Sequence, residues 1–137
     1  MVKVEWKGKM AFEAVPPSGN AFVMDAYPAV GGESGGPTPV EALLSSLAAC
    51  SAMDVISILQ KKQQEVTGYR VEIAGDRIPE GTWPRPFTRI VIRHIVSGIN
   101  IDPVAVKRAV ELSDEKYCTV IATLRNSPDI VSEFVIE

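Results

Sequence analysis

The chain has 137 residues, of which 46% are hydrophobic and 23% charged, with a formal net charge of −3. That length suits one domain with a core of its own, so residues 1–137 read as a single domain. The acidic balance and the scatter of the basic residues exclude an electrostatic footprint for nucleic acid and offer no basic cluster for an anionic membrane surface.

The opening MVKVEWKGK lacks the apolar segment and small-residue cleavage site of a signal peptide. Val2, Val4 and Trp6 alternate with polar neighbours, as do Met10, Phe12 and Ala14, which predicts two strands. The turn cluster PPSGN at 16–20 leads to a third strand over 21–27, and a three-stranded antiparallel meander is the simplest arrangement. GGESGGP at 31–37 is glycine-rich, but it has neither a following Lys nor GxGxxG spacing. It reads as a flexible connector and not as a phosphate cradle.

A long helix follows. Thr38 is placed to be its N-cap, Pro39 its first residue and Glu41 the acid of a capping box. The pattern runs to about Gln64, and Gly68 is the expected terminator. The first two thirds are apolar nearly all round, which predicts central burial. Glu41, Asp54 and several serines interrupt the apolar stretch 40–59, favouring a buried helix over a membrane span. Alternation returns over 69–78 and 88–97, predicting two strands joined through the GTWPRPF loop. Asp102 is the expected N-cap of a second helix. Ser113 is the expected cap of a third, shorter one carrying Tyr117, Cys118, Ile121 and Leu124, which ends at Asn126-Ser127-Pro128. A final alternating strand is expected over 130–136. The order β-β-β-α-β-β-α-α-β does not interleave strands and helices regularly, which makes the fold class α+β.

The cysteines are the residues most able to carry chemistry. There are two, Cys50 in the long helix and Cys118 in SDEKYCTV. With no export signal, they point to a reducing cytoplasm, where a disulfide is more often transient and catalytic than structural. Cys50 lies three turns into its helix, too deep for the helix dipole to activate it. Leu43, Leu47, Asp54 and Ser57 share its face, and Asp54 adds a negative charge that works against a thiolate. Arg108, Lys116 and Arg125 are the cations that Cys118 can draw on; Glu111, Asp114 and Glu115 oppose them. Either cysteine is equally well read as a small buried hydrophobe. Spacing alone does not bring their Cα atoms within the roughly 4.4–6.8 Å that a bridge needs. The single histidine, His94, sits in an alternating strand, where a packed or surface side chain is a plainer reading than a general base. No metal set and no cofactor motif is found, so neither a metal nor a cofactor is expected.

Three segments together, PTPVEALLSSLAACSAMDVISIL, RPFTRIVIRHIVSG and LSDEKYCTV, resemble the OsmC/Ohr family of osmotically induced and organic-hydroperoxide-resistance proteins. The resemblance covers nearly the whole chain and includes the element order. It implies an intertwined homodimer with the long helices buried against sheets, and a cysteine-based peroxidase. Cys50 matches the family's peroxidatic cysteine and Cys118 its resolving cysteine. The implied substrate is an organic or hydrogen peroxide, and the implied partner an external dithiol reductant. The best-defined peroxidases of the family pair an early-strand arginine with a glutamate ten positions before the cysteine. Here residues 7–30 contain no arginine and position 40 is Val40. Glu41, nine before, lies two and a half turns and about 13 Å from Cys50 along an ideal helix, on the opposite side. The chain therefore resembles an OsmC-like branch outside the strict organic-hydroperoxide group. Arg85 and Arg89, within the matching segment, are the candidate activating cations. The alternative is a non-enzymatic redox sensor or binder of a small apolar ligand.

Overall fold

The computed structural model describes residues 1–136. They form two compact units, Met1–Ser46 and Leu47 onward. The long helix α1, Pro39–Lys61, contributes its first two turns to one and the remainder to the other.

In the first unit, strands β1 (Lys3–Gly8), β2 (Ala11–Val15) and β3 (Phe22–Met24) form the expected antiparallel meander. Trp6 stands opposite Phe12 and Ala14 opposite Phe22, so alternation places Val4, Trp6, Phe12 and Phe22 on one face. That face is left open: Trp6 is 66% exposed and Phe22 46%. The glycine-rich loop is not the flexible connector its composition suggests. It folds around the buried Asp25, whose carboxylate accepts from the backbone N–H groups of Ala26, Glu33 and Gly35 at 2.7–3.0 Å. Those bonds hold the Asp25 carboxyl below the usual carboxylate range. They also engage the donors that a bound phosphate would need. Glycine is required at 32 and 36 by close approach, since a Cβ at either would lie about 2 Å from the carbonyl oxygen of Ala26 or Val23.

The capping box forms as read. Glu41 N–H donates to Thr38 Oγ1 and Thr38 N–H to the Glu41 carboxylate. By length and composition α1 could cross a membrane, yet Leu47, Ser51, Val55 and Leu59 pack one of its faces into the second unit. The expectation of burial all round is corrected: Met53 is 69% exposed. The helix also stops earlier than Gly68. Gln63 adopts a left-handed conformation (φ 56°), and Gln64 N–H closes back onto the Leu59 carbonyl at 3.0 Å. This is a Schellman-type stop. Gly68 lies instead in strand β4, beside a register shift.

Strands β4 (Glu65–Arg77) and β5 (Phe87–Ile99) pair as one antiparallel hairpin. Helix α2 (Pro103–Leu112) is capped by the Asp102 carboxylate, which accepts from Val104 N–H at 2.9 Å. Ser113 does not cap a third helix. Ser113–Tyr117 continues α2 as a single π-type turn, and α3 (Thr119–Arg125) starts afresh with Cys118 as its N-cap. Two buried clusters hold this unit. One joins Val55 and Leu59 to Ala105 and Ala109; the other joins Leu47 to Cys118 and Ile121, with Cys50, Ile73, Ile90 and Ile92 packed against it. The strand expected over 130–136 does not form. No edge of the two sheets pairs with it, and Ile130, Val131, Phe134, Val135 and Ile136 are all more than 80% exposed. The α+β class and the order of the other elements stand as read from the sequence.

Candidate cysteine site

Local structure explains how two remote cysteines meet. Cys50 sits on the face of α1 that carries Leu47, four residues away from Asp54. Cys118 is delivered by the π turn, whose wider ring is closed by Cys118 N–H on the Ser113 carbonyl at 2.9 Å. At the start of α3 the Cys118 sulfur accepts from Ile121 N–H at 3.5 Å. The outcome is a tight group: the sulfurs of Cys50 and Cys118 and a carboxylate oxygen of Asp54 all lie within 4.8 Å of one another. Both thiols are free. Burial pushes the Cys118 thiol up, the backbone donor of Ile121 partly offsets this, and the hydrogen bond with Cys50 raises it further. The Cys118 thiol therefore holds its proton more firmly than an ordinary thiol.

Beside this group runs a buried polar chain. Tyr69 OH lies 2.7 Å from His94 Nδ1, His94 Nε2 lies 3.4 Å from Ser51 Oγ, Ser51 Oγ lies 3.0 Å from Ser113 Oγ, and Ser113 Oγ donates to Asp54 at 3.1 Å. The donor directions follow. Burial pushes the Tyr69 phenol up to about 12, so it stays protonated and donates to Nδ1. Burial also lowers His94 below its ordinary value, which leaves a neutral ring whose proton sits on Nε2 and points at Ser51. Ser51 then donates to Ser113, and Ser113 to the Asp54 carboxylate. Ser51 and Ser113 are fully buried, so the chain satisfies groups that water cannot reach. His94 is thus held in a packed network, the first of the two plain readings of a strand histidine.

A cavity of about 220 Å³ of mixed character is lined by Leu47, Ile90, Ile92 and Ile121 together with His94, Asp114 and Arg125; neither cysteine lines it. Leu47 and Ile121 belong both to it and to the cysteine cluster. The supporting residues expected from sequence lie elsewhere among the described residues. Arg89 is exposed and alternates with Ile90 and Ile92, so it projects from the opposite face of β5. The Arg85 guanidinium donates to the Ile78 carbonyl at 3.1 Å and braces the hairpin loop. The Glu41 carboxylate is held by its capping box and by the Tyr27 hydroxyl. The cation that borders the cavity is Arg125, which also donates to the Asp114 carbonyl at 2.9 Å. In the sequence Asp54 reads only as an opposing charge and Ser113 as a helix cap, and Ser51 carries no role. The signal was present: Cys50, Ser51, Asp54 and Val55 are consecutive or one turn apart, and polar residues on a buried helix face demand partners.

This arrangement of a long helix, a β-hairpin and two short helices is a fold shared with solved OsmC-like proteins. The chain belongs to this family: the OsmC-like protein family model matches residues 31–133. It is 38% identical over 136 residues to Protein YhfA of Escherichia coli (strain K12), a match that covers 98% of this chain and 96% of that one. A crystal structure described as a hypothetical protein from Aquifex aeolicus VF5 superposes with a TM-score of 0.78 at 32% identity, covering 93% of this chain and 87% of that one. An organic hydroperoxide resistance protein OsmC from Legionella pneumophila superposes with a TM-score of 0.65 at 14% identity over 92% and 88%, a likeness of fold alone.

Proposed function

We propose that this chain is a thiol-dependent peroxidase in which Cys50 is oxidised by a peroxide and Cys118 resolves the product. The observation that carries the reading is the approach of the two sulfurs to within 4.8 Å of one another. The Cys50 thiolate attacks one peroxide oxygen, the O–O bond breaks, and the alkoxide or hydroxide leaves and takes up a proton. The Cys50 sulfenic acid then condenses with the Cys118 thiol, forming the S–S bond and releasing water. An external dithiol reduces the bridge by exchange and is itself oxidised. The cavity that shares Leu47 and Ile121 with the cysteine cluster is large enough only for a small organic hydroperoxide. The names of several structural relatives, which speak of hydroperoxide resistance, lend support to the same reading.

The reading includes a cytoplasmic location and a homodimer. In favour of the dimer are the open apolar face of the first sheet and the unpaired apolar segment at 130–136, surfaces that a second copy would cover. A second function is favoured by one observation. The Asp54 carboxylate stands beside both sulfurs, while Arg85 donates to the Ile78 carbonyl and Arg89 projects from the opposite face of β5. A slow redox sensor or apolar-ligand binder fits that electrostatic setting. Steady-state assay separates the two: multiple turnovers of an alkyl hydroperoxide with a dithiol, abolished in Cys50→Ser, support the peroxidase. A single stoichiometric oxidation without turnover supports the sensor.

A further inference from the structure

We infer that the reduced chain carries a binding site for a thiophilic divalent cation of the zinc class, formed by Cys50, Cys118 and Asp54. The three ligand atoms already lie within 4.8 Å of one another. Tetrahedral zinc with bonds of about 2.3 Å to sulfur and 2.0–2.2 Å to oxygen spaces its ligands roughly 3.5–3.8 Å apart, so closure needs movements on the order of 1 Å. The donor set, two soft thiolates and one carboxylate with a position left for water, suits zinc or cadmium and not magnesium or calcium.

Three further features fit a coordinated ion. The Asp54 carboxylate has no cationic partner: the salt bridges among the described residues do not include it. One oxygen of the carboxylate accepts from Ser113, which is bonded to Ser51, itself within reach of His94, the kind of outer support that ligating carboxylates require. The Cys118 sulfur is aimed by the Ile121 N–H, a weak bond that strengthens to an anionic thiolate sulfur. A cleft of about 350 Å³ lined by Asp114, Lys116 and Tyr117 reaches Cys118.

Binding displaces the protons of both thiols to solvent, so each ion bound releases up to two protons and affinity rises with pH. The same sulfur lone pairs cannot hold an ion and form an S–S bond. Oxidation of the pair by any two-electron thiol oxidant, with formation of the disulfide, therefore expels the cation. This inference goes beyond the peroxidase reading and does not need it.

The test is titration of the fully reduced, full-length protein with Cd²⁺, followed by thiolate-to-metal charge-transfer absorption, with Zn²⁺ affinity measured by competition against a chromophoric chelator. One ion per chain is expected. The charge-transfer band is expected to vanish in protein oxidised beforehand with a diazene thiol oxidant and in Cys118→Ser. Asp54→Asn is expected to weaken Zn²⁺ binding at least about 10-fold, as disruption of a ligand set does. Equal affinity in Asp54→Asn overturns the three-ligand site, as does retention of the ion by the disulfide form or the absence of a band in the reduced protein. Because the oxidised wild type needs no substitution, the answer does not depend on the variants folding. Because no peroxide is used, failure of the peroxidase reading leaves the result intact.

Discussion

Ser113→Ala separates the structure's account of Ser113 from the role its sequence context suggests. The hydroxyl is fully buried, donates to Asp54 at 3.1 Å and accepts from Ser51 at 3.0 Å. Its removal deletes a hydrogen bond to a charged group, worth about 1.5–3 kcal/mol, and strands the Ser51 donor at a further cost of about 1–3 kcal/mol. Partial relaxation brings the expected loss to about 2–4 kcal/mol. At about 2.1 cal/mol/K of unfolding entropy per residue, that lowers Tm by roughly 7–14 °C. The assay is reversible urea unfolding of the reduced protein with Ser51→Ala, Ser113→Ala and the double variant. Ser51 and Ser113 share one network, so their effects are expected to couple by at least about 0.5 kcal/mol. A loss near 1 kcal/mol with no coupling to Ser51 is what a helix cap gives, and would refute the network.

Other predictions follow from the same packing. Leu59→Ala, at a fully buried position against α2, is expected to cost about 2–5 kcal/mol in urea unfolding. The folded state keeps His94 neutral by lowering its proton affinity, so stability is complete above the unfolded value near about 6.5 and falls as pH drops through it toward the lower folded value. In His94→Gln that part of the slope between pH 7.5 and pH 5 should disappear, as read from denaturant midpoints across pH. Asp25 has the opposite charge but the same direction of dependence. Its folded carboxyl titrates below the unfolded value of about 3.9, so its contribution is present above that value and is lost as pH falls through the folded one. Asp25→Asn should therefore move the acid-unfolding midpoint upward, with the change largest in amide exchange at Glu33 and Gly35.

Much of the fold was legible because it is local. Thr38 and Glu41 form their box and Asp102 caps α2, since capping is decided within four residues. The hairpin β4–β5 was legible from alternation over 69–78 and 88–97, although its ends reach further. What escaped depends on neighbours far along the chain. Gln63 ends α1 by taking a left-handed conformation that no propensity assigns to glutamine, so Gly68 misled. Ser113 has the composition of a cap, yet its hydroxyl finds Asp54 and Ser51, which the sequence places some sixty positions earlier. The alternation at 130–136 has the right period, but a strand exists only where a partner edge does. At the site, the family resemblance pointed to Cys50 and Cys118, and the structure brings those sulfurs together. The supporting cation was sought at Arg85 and Arg89 because they share a segment with the motif. The β5 pleat turns Arg89 away, and Arg125, on a helix near the chain's end, borders the cavity instead.

In the proposed peroxidase, Cys50 and Cys118 act on a peroxide as one pair. The most direct test adds one equivalent of a small aryl hydroperoxide to the reduced protein and maps the products by peptide mass spectrometry. The account predicts consumption of both thiols per equivalent and a Cys50–Cys118 bridge within one chain. Two intact thiols after that treatment, or a Cys50 that oxidises onward to sulfinic acid while Cys118 stays free, would contradict it.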